Sequence, residues 1–342
     1  MGSALAVHWS RHHADVELLA TERDRAALAA WRDHLPHPAL GIPMPADVRC
    51  RPPDEWPAAL AGADQIAVCV STPGLEDVIR RAARHAAPEA TWVLVTKGWQ
   101  PGSLRSPSEV ARAVLGEGPG IVTLGGPALA AEIVAGAPTA VLSAAVDLER
   151  ARRVAASLRS RLLAVAVTDD VAGVETASAY KNVIAIAVGI CEGIADRVGQ
   201  SAVVHTFANA RAAVFAQGLV DMSRLAEANG GRSSTLLGLA GAGDLFVTCL
   251  GGRNGRFGRL VGAGQSPEQA LRAIGSTVEG VANTAVALEL AARRSLHLPT
   301  AVVVDLALRD RLLDDEGLVV LGDLFSTAVT DHHTGPLVPA GS

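Results

Sequence analysis

From Val183 to Ile190 every residue is apolar or glycine, and no other stretch constrains the fold of this chain more. A helix over it is apolar on all sides, so it must be wrapped by other elements and cannot lie on a surface. Just upstream, in the segment GVETASAYKNVIAIAVGI over Gly173–Ile190, one cation interrupts that background: Lys181. Three- and four-residue spacing puts Lys181 on the helical face of Val174, Ala177, Ile184 and Val188. A lysine is almost never fully buried without a partner, so the rest of the chain has to supply one.

At 342 residues the chain is long enough for two domains, and 49% hydrophobic against 19% charged residues makes it a folded protein. A net charge of −5, no basic tract and 3% aromatic residues leave no electrostatic footprint for nucleic acid. The four cysteines, Cys50, Cys69, Cys191 and Cys249, form no CxxC pair and read as buried thiols of a reducing compartment. Histidines show no metal-binding spacing, so no metal is expected. The longest apolar run, Val183–Cys191, falls short of a membrane span, and no charged-then-apolar signal opens the chain. These features describe a soluble cytoplasmic protein.

Up to about residue 168, short apolar or β-branched runs alternate with helical segments. The strand candidates are Val16–Ala20, Ile66–Val70, Trp92–Val95, Ile121–Leu124, Thr139–Ser143 and Leu162–Val167. Helices are expected over Leu75–Ala87, Pro107–Leu115 and Leu148–Arg161. That alternation predicts βαβ units and a mostly parallel, doubly wound sheet whose ligands bind beyond the carboxyl ends of the strands. From Asp170 the strand pattern stops, and helices are expected over Val171–Ile194, Val203–Asn229, Pro267–Ile274, Val278–Arg293 and Ala301–Leu313. The predicted organisation is therefore an α/β Rossmann-like domain over 1–168, an all-α substrate and catalytic domain over 169–329, and a disordered tail over 330–342.

Several polar clusters stand out. Thr96-Lys97-Gly98 follows one strand and Gly125-Gly126-Pro127-Ala128 another, where an ammonium and open backbone amides can meet an anion. Alone, Lys97 reads equally as a solvated loop residue, and the glycines as a plain turn. In GLAGAGDLFVTCLGGRNGRFG, over Gly238–Gly258, Asp244 and Thr248 are one helical turn apart. The run Gly251-Gly252-Arg253-Asn254 offers amides, a guanidinium and a carboxamide, which suits an oxyanion or else makes a glycine-rich connection. Glu279 belongs to the first turn of a helix. At the start, Met1–Trp9 reads as the opening of a helix and Val16–Ala20 as the second strand of a dinucleotide fold. Gly2 is then either the last glycine of a GxGxxG loop or a residue without that role. Beyond the strand, Glu22 can accept from ribose hydroxyls and Arg23 can face a 2′-phosphate, leaving NAD and NADP both open.

Together these motifs resemble the NAD(P)-dependent glycerol-3-phosphate dehydrogenase family over nearly the whole chain. The resemblance is carried by Thr96-Lys97-Gly98, by Gly126-Pro127 with Ala130 and Glu132, by Gly173-Val174-Glu175 with Lys181-Asn182, and by Gly238–Leu245. It continues through Thr248-Cys249, Arg253-Asn254, Phe257-Gly258 and Val278-Glu279-Gly280-Val281. It implies a Rossmann domain with NAD or NADP and a helical substrate domain. The implied reaction interconverts dihydroxyacetone phosphate and sn-glycerol 3-phosphate, within glycerophospholipid and carbohydrate metabolism. By the same resemblance Lys181 is the catalytic acid/base and Asp244 its charge partner. Lys97, Gly126, Asn182, Thr248, Gly252, Arg253 and Asn254 hold substrate, and Gly2, Lys97, Ala130, Arg253 and Glu279 approach the cofactor. The implied partner is a phosphorylated small molecule, with a homodimer left open. Competing expectations are a reductase of shifted substrate, since Ala128 stands where bacterial members carry Ser or Thr, and a non-catalytic paralogue that binds a phosphorylated metabolite. Two further departures are expected to matter. The segment Gly317–Val329 is unlike the family's C-terminal helix pair, and the first strand with its first two glycines is missing. That second departure fits Met1 being an internal methionine of a longer GxGxMG segment.

Overall fold

The structure, a computed structural model, describes residues 1–12, 15–198 and 207–309. The expectations for Gly317–Val329 and for the tail over 330–342 lie outside the described residues. The chain forms two compact units, Met1–Glu175 and Thr176–Ser342.

In the first unit α1 (Gly2–Ser10) opens the chain, followed by β1 (Val16–Leu19), α2 (Arg25–Arg32), β2 (Val48–Arg51) and α3 (Trp56–Leu60). Then come β3 (Gln65–Val68), α4 (Leu75–Ala82), β4 (Thr91–Leu94), α5 (Pro107–Leu115) and β5 (Gly120–Gly125). The unit continues with α6 (Ala130–Ala135), β6 (Thr139–Ala144), α7 (Leu148–Leu158) and β7 (Leu163–Thr168). All six expected strands are present within two residues of their expected ends. β2 was not legible, because two of its four residues are arginines. It forms because Arg49 and Arg51 both reach Glu17 of the neighbouring β1, at 2.8 and 3.1 Å.

The strands form a two-stranded parallel sheet, β1-β2, and a five-stranded sheet in the order β3-β4-β5-β6-β7, parallel except where β6 meets β5. The division falls between β1 and β3, and the start of α1 is set against the ends of both. A Cβ added to Gly2 would lie 3.3 Å from Cys69 Cβ, just beyond β3, and 3.9 Å from Leu18 Cδ1 of β1. Leu5 of α1 and Val154, Ala155 and Leu158 of α7 cover Val93, Val122 and Val165 on one face. On the other, α4 and α5 bury Ile79, Val110 and Ala111 against Ile66, Trp92 and Leu94.

The second unit is carried by α8 (Val171–Val198), whose first residues belong to the first unit. Its start is fixed by Asp170, whose Oδ1 accepts from Gly173 N at 2.9 Å as an N-cap. Then follow α9 (Ala208–Ala228), α10 (Ser233–Leu236), α11 (Asp244–Cys249), α12 (Arg253–Gly262), α13 (Pro267–Ile274), α14 (Glu279–Arg293) and α15 (Pro299–Leu308). No strand interrupts the described residues after Thr168.

α8 corrects one expectation. Over Val171–Arg197 it is long and apolar enough to cross a membrane, although the uninterrupted run Val183–Cys191 is short. Mean hydropathy over a window tolerates Lys181 and Glu192, which an unbroken run does not. Of that window 94% is buried inside the protein, which is what an all-round apolar core helix requires. The cysteines are a second correction: all four are free thiols, but only Cys191 is buried, the other three being half-buried.

Candidate active site

Lys181 lies in the middle of α8 with 7% of its side chain exposed, and its Nζ is 2.5 Å from Asp244 Oδ1, itself 3% exposed. This is the pairing a buried ammonium demands. Asp244 is aimed by an unusual turn. Leu239–Gly243 is a five-residue π-helical segment running directly into α11, at whose first position Asp244 stands. The turn is possible because Gly241 has no side chain: a Cβ there would sit 2.0 Å from Leu236 O. Single π turns recur at functional sites because they re-aim the next side chain.

One turn beyond Asp244, Thr248 Oγ1 donates to the Asp244 carbonyl at 2.6 Å. The chain then enters α12 through Gly252 as N-cap, with no side-chain cap and no acid in the first turn. Such an end carries open amides and a partial positive charge. Arg253 is exposed there and Asn254 buried. Asn254 Nδ2 donates to Asn182 Oδ1 at 2.9 Å, and Asn254 Oδ1 accepts from Gly280 N at 2.9 Å. The residues expected to touch substrate at 182 and 254 thus hold each other, each keeping one amide hydrogen to offer.

Backbone contact between α8 and α12 makes that possible. A Cβ on Gly258 would meet Ile186 O at 2.1 Å, and one on Gly262 would meet Ile190 O at 2.2 Å, the same four-residue step on both helices. Gly189 likewise would meet Gly255 O at 2.2 Å. The glycines let the two helices run side by side, so Arg253-Asn254 arrive beside Asn182 and one residue from Lys181. Glu279 is the first residue of α14, half-buried, beside Gly280 and its bond to Asn254.

In the first unit, Lys97 follows β4 and its Nζ donates to Gly126 O at 3.4 Å, so the two expected anion loops do meet. Thr72 Oγ1 donates to Lys97 O at 3.0 Å, and Thr96 Oγ1 to Val70 O at 2.6 Å, which ties this loop to the one after β3. Gly126 needs its glycine, having φ +98° and a missing Cβ that would face Val141 Cα at 3.3 Å. Ala130 opens α6. Ala128 is partly buried and packs against two of the core clusters, one containing Leu5 and Val141 and the other Ala4 and Val7.

The residues at the sheet division suit a dinucleotide. α1 has no side-chain cap and no acid in its first turn, with Gly2 leading, which is the terminus a pyrophosphate favours. Glu22, after β1, accepts from Arg81 at 2.6 Å, and both side chains are exposed, so the pair can open to a ribose. Arg23 is exposed beside it.

Two clusters were not foreseen. Glu175 is fully enclosed and accepts from Ser108 N at 2.8 Å, Ser108 Oγ at 2.7 Å and Thr123 Oγ1 at 3.0 Å. Burial pushes its carboxyl above the usual range, against these bonds. Asp221 of α9 accepts from Gln217 Nε2 at 2.7 Å, Thr300 N at 2.8 Å and Tyr180 Oη at 3.2 Å. Burial raises it to about 6. The one available signal was Pro299-Thr300, a proline at a helix start whose following amide needs an acceptor.

Comparison with known proteins identifies the family. The family model for the NAD-dependent glycerol-3-phosphate dehydrogenase N-terminus matches residues 1–151, and that for the C-terminus matches 170–312. A glycerol-3-phosphate dehydrogenase (NAD(P)+) of Thiobacillus denitrificans is 36% identical over 306 residues, covering 89% of each chain. One from Stenotrophomonas maltophilia is 36% identical over 326 residues, covering 94% of this chain and 91% of its own. Among solved structures, glycerol-3-phosphate dehydrogenase from Coxiella burnetii superposes with a TM-score of 0.81 at 31% identity, covering 95% of this chain and 96% of that one.

Proposed function

The chain belongs to the NAD-dependent glycerol-3-phosphate dehydrogenase family, oxidoreductases that interconvert dihydroxyacetone phosphate and sn-glycerol 3-phosphate with NAD(P), and from that premise we propose how its residues divide the work. Residues 1–168 form the dinucleotide domain and 169–329 the substrate domain. Lys181 is the general acid and base. In the reductive direction its Nζ gives a proton to the ketone oxygen, and in oxidation it takes the proton back from the hydroxyl. Asp244 is its positioning partner: it holds Nζ in place and balances the charge while the lysine is protonated. The observation that carries this reading is the buried Lys181–Asp244 pair at 2.5 Å, one residue from Asn182 and its bond to Asn254.

Arg253 and the open amides of Gly252 and Asn254 take the substrate phosphate, where a helix N-terminus and a guanidinium act together. Asn182 and Thr248 hold substrate beside them, and Lys97 with Gly126, paired within the first unit, are proposed as further substrate-binding residues. NAD(P)H, when bound, supplies the hydride. Gly2 and the first turn of α1 would hold its pyrophosphate, with Lys97, Ala130, Arg253 and Glu279 as further contacts. A cytoplasmic location is part of the proposal, supported by four free cysteines.

The test is an assay of purified protein with dihydroxyacetone phosphate and NADH or NADPH, following nicotinamide absorbance. Lys181→Ala is expected to lose turnover while its nucleotide-binding constant stays unchanged. Wild-type turnover in that variant would remove Lys181 from the chemistry.

A further inference from the structure

Four polar side chains of α8 fall on one side of the helix. At about 100° per residue, Glu175, Ser178, Lys181 and Asn182 occupy roughly 120° of its circumference, and all four are buried. Ser178 is three or four residues from each of the others, which makes it the helical neighbour of all three. Those three are matched: Glu175 by Ser108 and Thr123, Lys181 by Asp244, and Asn182 by Asn254. Ser178, 3% exposed, has a buried Oγ without a hydrogen-bond partner. A serine inside a helix commonly returns its hydroxyl to the carbonyl four residues back, and a buried hydroxyl left unpaired destabilises a fold.

The register between α8 and α12 locates this hydroxyl. The two helices meet at four-residue steps: Asn182 with Asn254, Ile186 O with Gly258 and Ile190 O with Gly262. One step back along α8 is Ser178. The same step back along α12 passes its first residue, Arg253, and its N-cap, Gly252. Ser178 therefore stands at the foot of the open N-terminus of α12, one turn before Asn182 and beside Lys181 on the helix. The proposed reaction gives the phosphate to that N-terminus and to Arg253, and the ketone oxygen to Lys181. Dihydroxyacetone phosphate carries a third polar group, an uncharged hydroxyl on the carbon next to the ketone. That hydroxyl requires a neutral partner able to donate or accept, and Ser178 Oγ is one.

We infer that Ser178 is a specificity-determining contact, whose Oγ takes the free hydroxyl of the substrate while Lys181 serves the neighbouring ketone oxygen. This contact rests on the catalytic role proposed for Lys181. Unpaired within the fold, the Ser178 hydroxyl contributes to selection of substrate and not to stability.

Steady-state kinetics of wild type and Ser178→Ala test it, with dihydroxyacetone phosphate and with 2-oxopropyl phosphate, the same ketone without the hydroxyl, read as substrate or as competitive inhibitor. Wild type should prefer dihydroxyacetone phosphate. Ser178→Ala should lower kcat/KM for dihydroxyacetone phosphate about 3- to 10-fold, as loss of one neutral hydrogen bond does, and leave the constant for 2-oxopropyl phosphate within about twofold. The variant should melt at the wild-type temperature or up to about 3 °C higher, because alanine removes an unpaired polar group and favours the helix. Its NADH binding constant, by fluorescence titration, should not change. No preference in the wild type, an equal fall for both ketones, or a weakened NADH constant with unchanged discrimination overturns the inference. Absence of dihydroxyacetone phosphate turnover in the wild type, or turnover retained in Lys181→Ala, removes the catalytic reading and this contact with it.

Discussion

Lys181→Met, Asp244→Leu and their combination put the centre of the site to a quantitative test. Each single change strands one charge at a position where the paired side chains are only 7% and 3% exposed. Breaking a buried pair from one side costs about 3–5 kcal/mol, whereas replacing both members by apolar residues of similar volume is close to neutral. Each single variant should therefore be destabilised by about 4 kcal/mol and melt roughly 10 °C lower, and the double variant should recover most of that loss. The chain provides its own reporters. All five tryptophans, Trp9, Trp31, Trp56, Trp92 and Trp99, lie in the first unit, while the second is helical throughout its described residues. Far-UV circular dichroism should lose its early, helical transition selectively, with tryptophan fluorescence less affected. Turnover should be absent from Lys181→Met and from the double variant alike, so stability returns without activity. A coupling energy below about 0.5 kcal/mol would show that the two charges do not depend on each other, and the reasoning would fail.

Three further outcomes are expected. Gly258→Ala drives a Cβ to within 2.1 Å of Ile186 O, so α12 must move off α8; a loss of about 3 kcal/mol and a drop in turnover should appear together, by denaturant titration and steady-state assay. Arg253→Ala should raise KM for dihydroxyacetone phosphate by about 10- to 100-fold with a smaller change in kcat, since the role proposed for the exposed guanidinium is to bind phosphate and not the reacting carbon. Asp221 makes stability depend on pH. Its carboxyl is raised from 3.8 to about 6 in the folded state, so the folded protein holds the proton more tightly than the unfolded chain. The resulting stability is fully present below the unfolded value and is lost as pH rises through the folded one, about 3 kcal/mol in all. Denaturant midpoints measured between pH 4 and 8 should show that fall in the wild type and not in Asp221→Asn.

Much of the fold follows from local pattern. Alternation of β-branched runs with helical segments located six of the seven strands, and the capping residues at Ser106 and Ser266 set Pro107–Leu115 and Pro267–Ile274 at their observed limits. β2 escaped because its stability comes from Glu17 on another strand, which no local window contains. The same division runs through the site. An ammonium in an apolar helix is a local contradiction, so the sequence alone determined that Lys181 needed a partner, while it left the run Gly251–Asn254 open between an oxyanion site and a glycine-rich connection. It did not determine how Asp244 reaches Lys181, because that depends on a π turn that exists only with Leu236 O pressed against Gly241. Nor did it show that Asn182 and Asn254 bond to each other, since each looked like a separate ligand contact until glycines brought α12 onto α8. The roles of Glu175 and Asp221 were equally hidden, because a buried carboxylate is defined by the helix ends it accepts from, and those lie 67 and 79 residues away in the chain. Composition and periodicity specify what a segment must bury. Only tertiary packing, which joins distant segments at van der Waals distance, decides what each buried group meets.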